Sequence, residues 1–210
     1  MEYNKFTKLI GTIQEADLGG IEAQLNLAPE LRKPLSKESV KVKNAKKAAV
    51  LALFYPNKNG ETMLLLTLRA NYKGTHGAQV SFPGGKVEAS DKNLQHTALR
   101  ESYEEVGILL ENIEIIKELT DVYIPPSNFL VTPFIGYTIH QPIYNTNEEV
   151  AEIIEVPIKD VLNDKSIKYM IRDTSYAKQI NIPYFNLNNH VVWGATAMII
   201  SEIKELLKSL

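Results

Sequence analysis

The segment from Gln79 to Ile108 constrains this chain most. Gln79 to Phe82 reads as a short strand that Pro83 stops, and Gly84-Gly85 permit a sharp turn behind it. After a polar loop, Asp91 to Val106 contains no proline or glycine and is predicted as one helix. Ser90 or Asp91 is placed to cap its first amides, and Gly107 stands where a left-handed C-terminal cap belongs. The unit is strand, glycine loop, helix.

A helix turns about 100° per residue, so Ala98, Leu99, Ser102 and Val106 share a face that can pack on a sheet. Glu101, Glu104 and Glu105 fall together on another. Like charges at these spacings repel by about 0.2–0.5 kcal/mol per pair. Glu104 and Glu105 also occupy the last turn, where the helix dipole disfavours anions by about 0.3–1 kcal/mol. A bound divalent cation such as Mg²⁺ reverses both penalties, because it takes carboxylate and carbonyl oxygens. The alternative is a solvated acidic face with Arg100 as counter-ion.

Composition narrows the classes. With 210 residues the chain can bury a substantial core, and a net charge of -2 makes no electrostatic case for a nucleic-acid or membrane partner. Without cysteine there are no disulfides and no thiolate metal sites. No apolar run is long enough to span a bilayer, and Met1 to Ile10 is too polar for a signal peptide, so cytoplasm is the default expectation.

Read in order, residues 1 to 31 suggest one or two short helices split at Gly19-Gly20, and the lysine-rich stretch from Arg32 to Lys47 a connector. The expected division is a helical extension with connector over 1–45 and a compact domain over 46–210. Ala48 to Tyr55 and Thr62 to Arg69 are predicted as a hairpin around Pro56 to Gly60. Beyond the helix, strands are predicted over Ile113–Tyr123, Phe129–His140, Glu149–Val156, Lys168–Arg172, Gln179–Leu187 and His190–Trp193. A short helix from Pro157 to Leu162 and a last one from Thr196 to Leu207 complete the chain. The fold class is α/β (α+β), a mixed sheet between helices.

Arg69 offers paired donors to a phosphate or, equally, to a structural carboxylate. Lys73 and His76 on the following loop are weaker phosphate candidates, with loop structure the alternative for His76. His96, His140 and His190 read as surface residues, Trp193 as packing, and Tyr123 and Phe129 as core or as contacts to a base.

The central segment resembles the Nudix box: a glycine, an acid, then Arg-Glu, Glu-Glu and a closing glycine with an apolar residue. Gly85, Arg100, Glu101, Glu104, Glu105, Gly107 and Ile108 match; Asp91 replaces the usual Glu, one extra residue separates it from Arg100, and Ser102 takes an apolar or alanine position. The Asp and the extra residue are similar to one branch, the coenzyme A diphosphatases. That likeness extends to Leu65-Leu66-Thr67-Leu68-Arg69, His76-Gly77, Phe82-Pro83-Gly84-Gly85, Val131-Thr132-Pro133, Asn147 through Val150, and Trp193-Gly194-Ala195-Thr196-Ala197.

The resemblance implies the Nudix fold and hydrolysis of a nucleoside diphosphate derivative, coenzyme A in this branch, with room for a homodimer. It implies that Glu101, Glu104, Glu105 and the Gly85 carbonyl hold Mg²⁺ or Mn²⁺. Arg100 would position a carboxylate, with Asp91 as its partner, and Glu149 would act on the attacking water. Arg69, Lys73 and His76 would bind substrate. Competing expectations are a different substrate such as ADP-ribose, and a non-catalytic ligand-sensing module.

Overall fold

The central strand explains the architecture. In this computed structural model, which describes residues 1–29, 44–70, 79–173 and 178–210, strand β1 (Lys46–Pro56) is apolar on both faces. Ala49, Leu51, Leu53 and Tyr55 point into one core, and Ala52 and Phe54 into another. A strand alternates its side chains, so a continuous apolar run must be covered on both sides. Two helices near the amino end, α1 (Tyr3–Glu15) and α2 (Gly20–Leu25), together with the last helix, cover the Phe54 side; helix α3 (Leu94–Val106) covers the Tyr55 side. The mixed sheet between helices is as expected.

Strand β2 (Thr62–Arg69) pairs with β1 only at the hairpin end, Phe54 opposite Leu64. Beyond that the two strands splay. The gap is filled by β3 (Val80–Ser81), which pairs with β2 at Thr67 and Leu68, and by β4 (Gly84–Lys86), which pairs with β1 from Ala48 to Val50. The sheet continues through β5 (Glu114–Glu118), β6 (Val122–Ile124) and β7 (Phe129–Tyr137), the last parallel to β1. Strand β8 (Val150–Pro157) runs along the outer edge of β2, and the register shifts between Leu68 and Arg69. Such an irregularity re-aims a side chain, here Arg69. Helix α4 (Ile158–Leu162) leads to a second antiparallel sheet of β9 (Ile167–Arg172), β10 (Ile180–Leu187) and β11 (His190–Val192), and helix α5 (Gly194–Lys208) ends the chain.

Two expectations need correction. Helix α3 starts at Leu94, and its cap is neither Ser90 nor Asp91 but Asn93, whose side chain accepts the His96 amide at 2.8 Å. Asp91 is unavailable because its carboxylate is committed to Arg100, Thr97 and the Glu88 amide. The strand expected over Ile113–Tyr123 is two strands. Opposite the break lies Pro133 of β7, which has no N–H to give and whose carbonyl accepts the Leu119 amide.

The amino-terminal helices are bound into the same core as the sheet. The Tyr3 hydroxyl donates to the Thr138 carbonyl at 2.7 Å, and Phe6 stacks on Phe54 with ring centroids 4.9 Å apart. The carboxylate of Glu202 on α5, wholly buried, accepts from Gln24 on α2 at 2.9 Å and from the Thr120 hydroxyl at 2.6 Å. Burial pushes its pKa upward against those bonds. Among the described residues no helix is long and apolar enough to cross a membrane.

Candidate active site

The glycine pair at the start of β4 serves two ends. At Gly84 φ is +147°, and a Cβ there would meet the Ala49 carbonyl oxygen at 2.4 Å and the Val50 Cα at 2.6 Å, so only glycine lets β4 lie against β1. At Gly85 the obstruction is different: a Cβ would meet the Glu101 carboxyl group at 2.5 Å. Backbone cannot yield, whereas a flexible side chain can. Gly84→Ala is therefore expected to destabilise the fold by about 2–3 kcal/mol. Gly85→Ala should leave the melting temperature nearly unchanged while displacing Glu101 and lowering turnover. Thermal melts and rates on both variants check this, and equal melting losses would refute the division.

Helix α3 presents its glutamates to this loop. Its C-terminal cap is Gly107 in the left-handed region, φ +77°, as its position in the sequence suggested. The last carbonyls are taken by the chain that leads to β8: Asn147 donates its amide to the Glu105 carbonyl, and Asn145 to that of Val106. This anchors the segment carrying Glu149 beside the end of α3.

Glu105 is 3% exposed. One of its oxygens accepts the Gly84 amide at 3.0 Å and the other accepts from Arg69 at 3.2 Å. Arg69 in turn donates to Glu149 at 3.0 Å. Burial pushes the Glu105 carboxyl up to about 7; the Gly84 amide and Arg69 oppose that rise, and the charges of Glu101 and Glu149 add to it. Burial also raises Glu101, with Arg100 opposing and the charges of Glu104 and Glu149 adding.

Arg100 is the hub on the flank. Its Nε and Nη2 grip Asp91 at 2.9 Å each, Nη1 donates to Glu101 at 3.1 Å and to Glu104 at 3.0 Å, and Nη2 also meets the Lys86 carbonyl at 3.1 Å. The Asp91–Arg100 pair thus forms despite the extra residue between the two. The Arg100 guanidinium, with desolvation opposing it, holds the shielded Asp91 carboxyl far below the usual carboxylate range. Depression of a folded-state pKa gives stability that is complete above the ordinary value of 3.8 and disappears as the pH falls below it. Asp91→Asn should cost about 3 kcal/mol at pH 7, the low end for breaking a buried pair, because Glu101 and Glu104 still face Arg100. Its stability should also fall less between pH 4 and pH 2 than that of the unmodified chain, as denaturant melts across that range would show. Parallel pH profiles would remove Asp91 from this role.

A cleft of about 670 Å³ opens where β1 and β2 part. It is lined by Arg69, Gly85, Glu101, Glu105 and Glu149, five of the residues singled out from the sequence. Arg100 stands behind the lining, and Glu104, its side chain 50% exposed, turns to Arg100 instead. The acidic face read from helical spacing therefore divides. Lys73 and His76 lie outside the described residues. His96, read as a surface residue, places Nδ1 3.0 Å from Asp91. Phe129 and Trp193, with Ile124 and Pro125, also line the cleft. Arg172 also lines the cleft and had no signal in the sequence.

The oxygen donors fit a hard divalent cation. A buried carboxylate, Glu105, and a half-buried one, Glu101, both with raised pKa values and repelling one another, are the arrangement such an ion relieves. Among the described residues no three acidic or imidazole groups already stand close enough to share one ion, and Arg69 bridges Glu105 and Glu149.

The family model described as the NUDIX domain matches residues 45–173. The "uncharacterized Nudix hydrolase NudL" of Photorhabdus laumondii subsp. laumondii is 36% identical over 144 residues, 68% of this chain and 75% of that protein. The protein of the same description from Yersinia pestis (strain Pestoides F) is 33% identical over 147 residues, 69% of this chain and 72% of its own. Among solved structures, the Nudix hydrolase RenU from M. smegmatis superposes with a TM-score of 0.56 at 19% identity, covering 80% of this chain and 89% of that one, a likeness of fold. The glycine loop, the acidic helix and these matches agree: the chain belongs to the Nudix family and is a hydrolase of phosphoric anhydrides.

Proposed function

We propose that this hydrolase cleaves the diphosphate bond of coenzyme A or an acylated derivative, giving 4′-phosphopantetheine or its acyl form and 3′,5′-ADP. The observation that carries the reading is the mixed lining of the cleft. Carboxylates and Arg69 line it together with the apolar Ile124, Pro125, Phe129 and Trp193. A volume of about 670 Å³ is in the range that encloses a whole small molecule, beyond a diphosphate alone. Two stretches similar to the coenzyme A diphosphatases, Phe82 to Gly85 and Trp193 to Thr196, meet as lining of this cleft, which supports the branch.

Nudix hydrolases use divalent metal ions. In this reading Glu101, Glu104, Glu105 and the Gly85 carbonyl hold Mg²⁺ or Mn²⁺. When bound, the ion neutralises the diphosphate and activates water. Arg100 positions Glu101 and Glu104 through charge-assisted bonds, with Asp91 fixing the guanidinium from behind. Glu149 orients the attacking water or takes its proton. Arg69 bridges Glu105 and Glu149 and stands in the cleft lining, where it can meet the diphosphate. Lys73 and His76 are assigned to the same anion by resemblance.

Product analysis by mass spectrometry, with coenzyme A and ADP-ribose at equal concentration in Mg²⁺, tests the proposal. Release of 4′-phosphopantetheine as the faster reaction is the expected result. Preferential cleavage of ADP-ribose would overturn the branch and leave the hydrolase.

A further inference from the structure

The machinery just described leaves unused a further cation in the lining of the cleft. Arg172 ends β9, paired with Ile180 of β10, and its guanidinium carbon lies 4.9 Å from the ring centroid of Trp193. Both residues line the cleft. They come from the second, three-stranded sheet and the turn into α5, whereas the acidic side comes from the main sheet and α3.

The charges differ from those at the acidic side. Arg69 is bound to Glu105 and Glu149, and Arg100 to Asp91, Glu101 and Glu104. Among the described residues the Arg172 side chain has no ion pair and no hydrogen bond, only the indole face. The neighbouring Asp173, also in the lining, accepts the Gln179 amide at 2.8 Å. A guanidinium held over an indole face by this cation–π contact keeps its N–H donors for an acceptor. A nucleobase would have to displace Arg172 to use that indole face, so the chemistry on offer is anion recognition. Lys86 also lines the cleft and, among the described residues, has no ion pair, but it stands on β4 next to Gly85.

We propose that Arg172, held by Trp193, is a specificity subsite for a phosphomonoester on the nucleotide half of the substrate, separate from the scissile diphosphate. This rests on the coenzyme A reading, in which that group is the 3′-phosphate. A guanidinium suits it because paired donors match phosphate oxygens. The subsite accepts substrates with this additional phosphate and disfavours nucleoside diphosphates without it.

Trp193 is the sole tryptophan, so tryptophan fluorescence reports on the surroundings of this residue. The test titrates the metal-free protein with 3′,5′-ADP and with AMP, which differ by the one phosphate. The expected result is a Trp193 response and affinity about tenfold or more higher for 3′,5′-ADP, the scale of a charged hydrogen bond. Arg172→Gln should abolish the difference, Arg172→Lys should keep part of it, and Lys86→Gln should leave it intact, all with unchanged melting temperatures. Equal affinities, a difference that survives Arg172→Gln, or no binding of either nucleotide would overturn the subsite. Turnover of coenzyme A against its 3′-dephosphorylated form separates the two proposals. Equal cleavage of both, unaffected by Arg172→Gln, sinks the subsite and spares the substrate reading; cleavage of neither sinks the substrate reading, while the titration still decides whether Arg172 selects a phosphomonoester.

Discussion

Glu105→Gln is expected to lower turnover by about 100-fold, the scale of losing one group that acts on developing charge, without lowering thermal stability. Glutamine keeps the shape of the side chain and an oxygen for the Gly84 amide, so β4 stays anchored to α3. It gives up the charge that the proposed cation needs. The stability side has a definite sign. Burial raises the folded-state pKa to about 7 from 4.5, so between those values the folded chain holds a proton that the unfolded chain has released. Ionising Glu105 therefore costs stability as the pH rises through that window, and the cost is complete above it. At pH 8 the glutamine variant is freed from that cost and from repulsion by Glu101 and Glu149. Its melting temperature should stay close to that of the unmodified chain, because this relief offsets the bond from Arg69, which is lost when an amide NH2 takes the place of its acceptor oxygen. Rates with Mg²⁺ and melts at pH 8 measure both quantities. Unchanged turnover would remove Glu105 from the reaction, and a large melting loss would make its role structural.

The parts of this site legible in the sequence were those encoded locally. The glycine pair, the proline that stops β3, the left-handed cap at Gly107 and the run from Arg100 to Glu105 are fixed by neighbours in the chain. What spacing could not give was which glutamates look inward. Glu101, Glu104 and Glu105 share an arc of the helix, yet Glu104 turns to Arg100 while Glu105 reaches the Gly84 amide, and that choice is made by β4 docking on β1. The capping error has a similar origin. Asp91 has the chemistry of a cap, and a tertiary partner, Arg100, claimed it first. Arg172 was invisible because a cation at the end of an exposed strand looks like any other until β11 brings Trp193 beneath it.

The second large effect is expected far from the chemistry. Phe6→Ala should cost about 3–5 kcal/mol, the range for emptying a buried aromatic site. Phe6 has no solvent exposure, and its ring lies between Tyr3, 5.9 Å away, and Phe54, 4.9 Å away. Little can collapse into the hole. Phe54 is fixed in the central strand, and the start of α1 is pinned to the β1–β2 turn by the Tyr3 amide on the Gly60 carbonyl and the Thr62 amide on the Met1 carbonyl. Against a total stability of about 5–15 kcal/mol this loss is large, and the melting temperature should fall by roughly 10 °C. Lys5→Ala, on the exposed face of the same helix, should change little. Turnover of the folded fraction should persist, because the cleft lies where β1 and β2 part and Phe6 does not line it. A single transition shifted downward would mean that residues 1–45 fold with 46–210 as one cooperative unit. A separate low-temperature transition that leaves the main one in place would instead make the amino-terminal helices an independent extension.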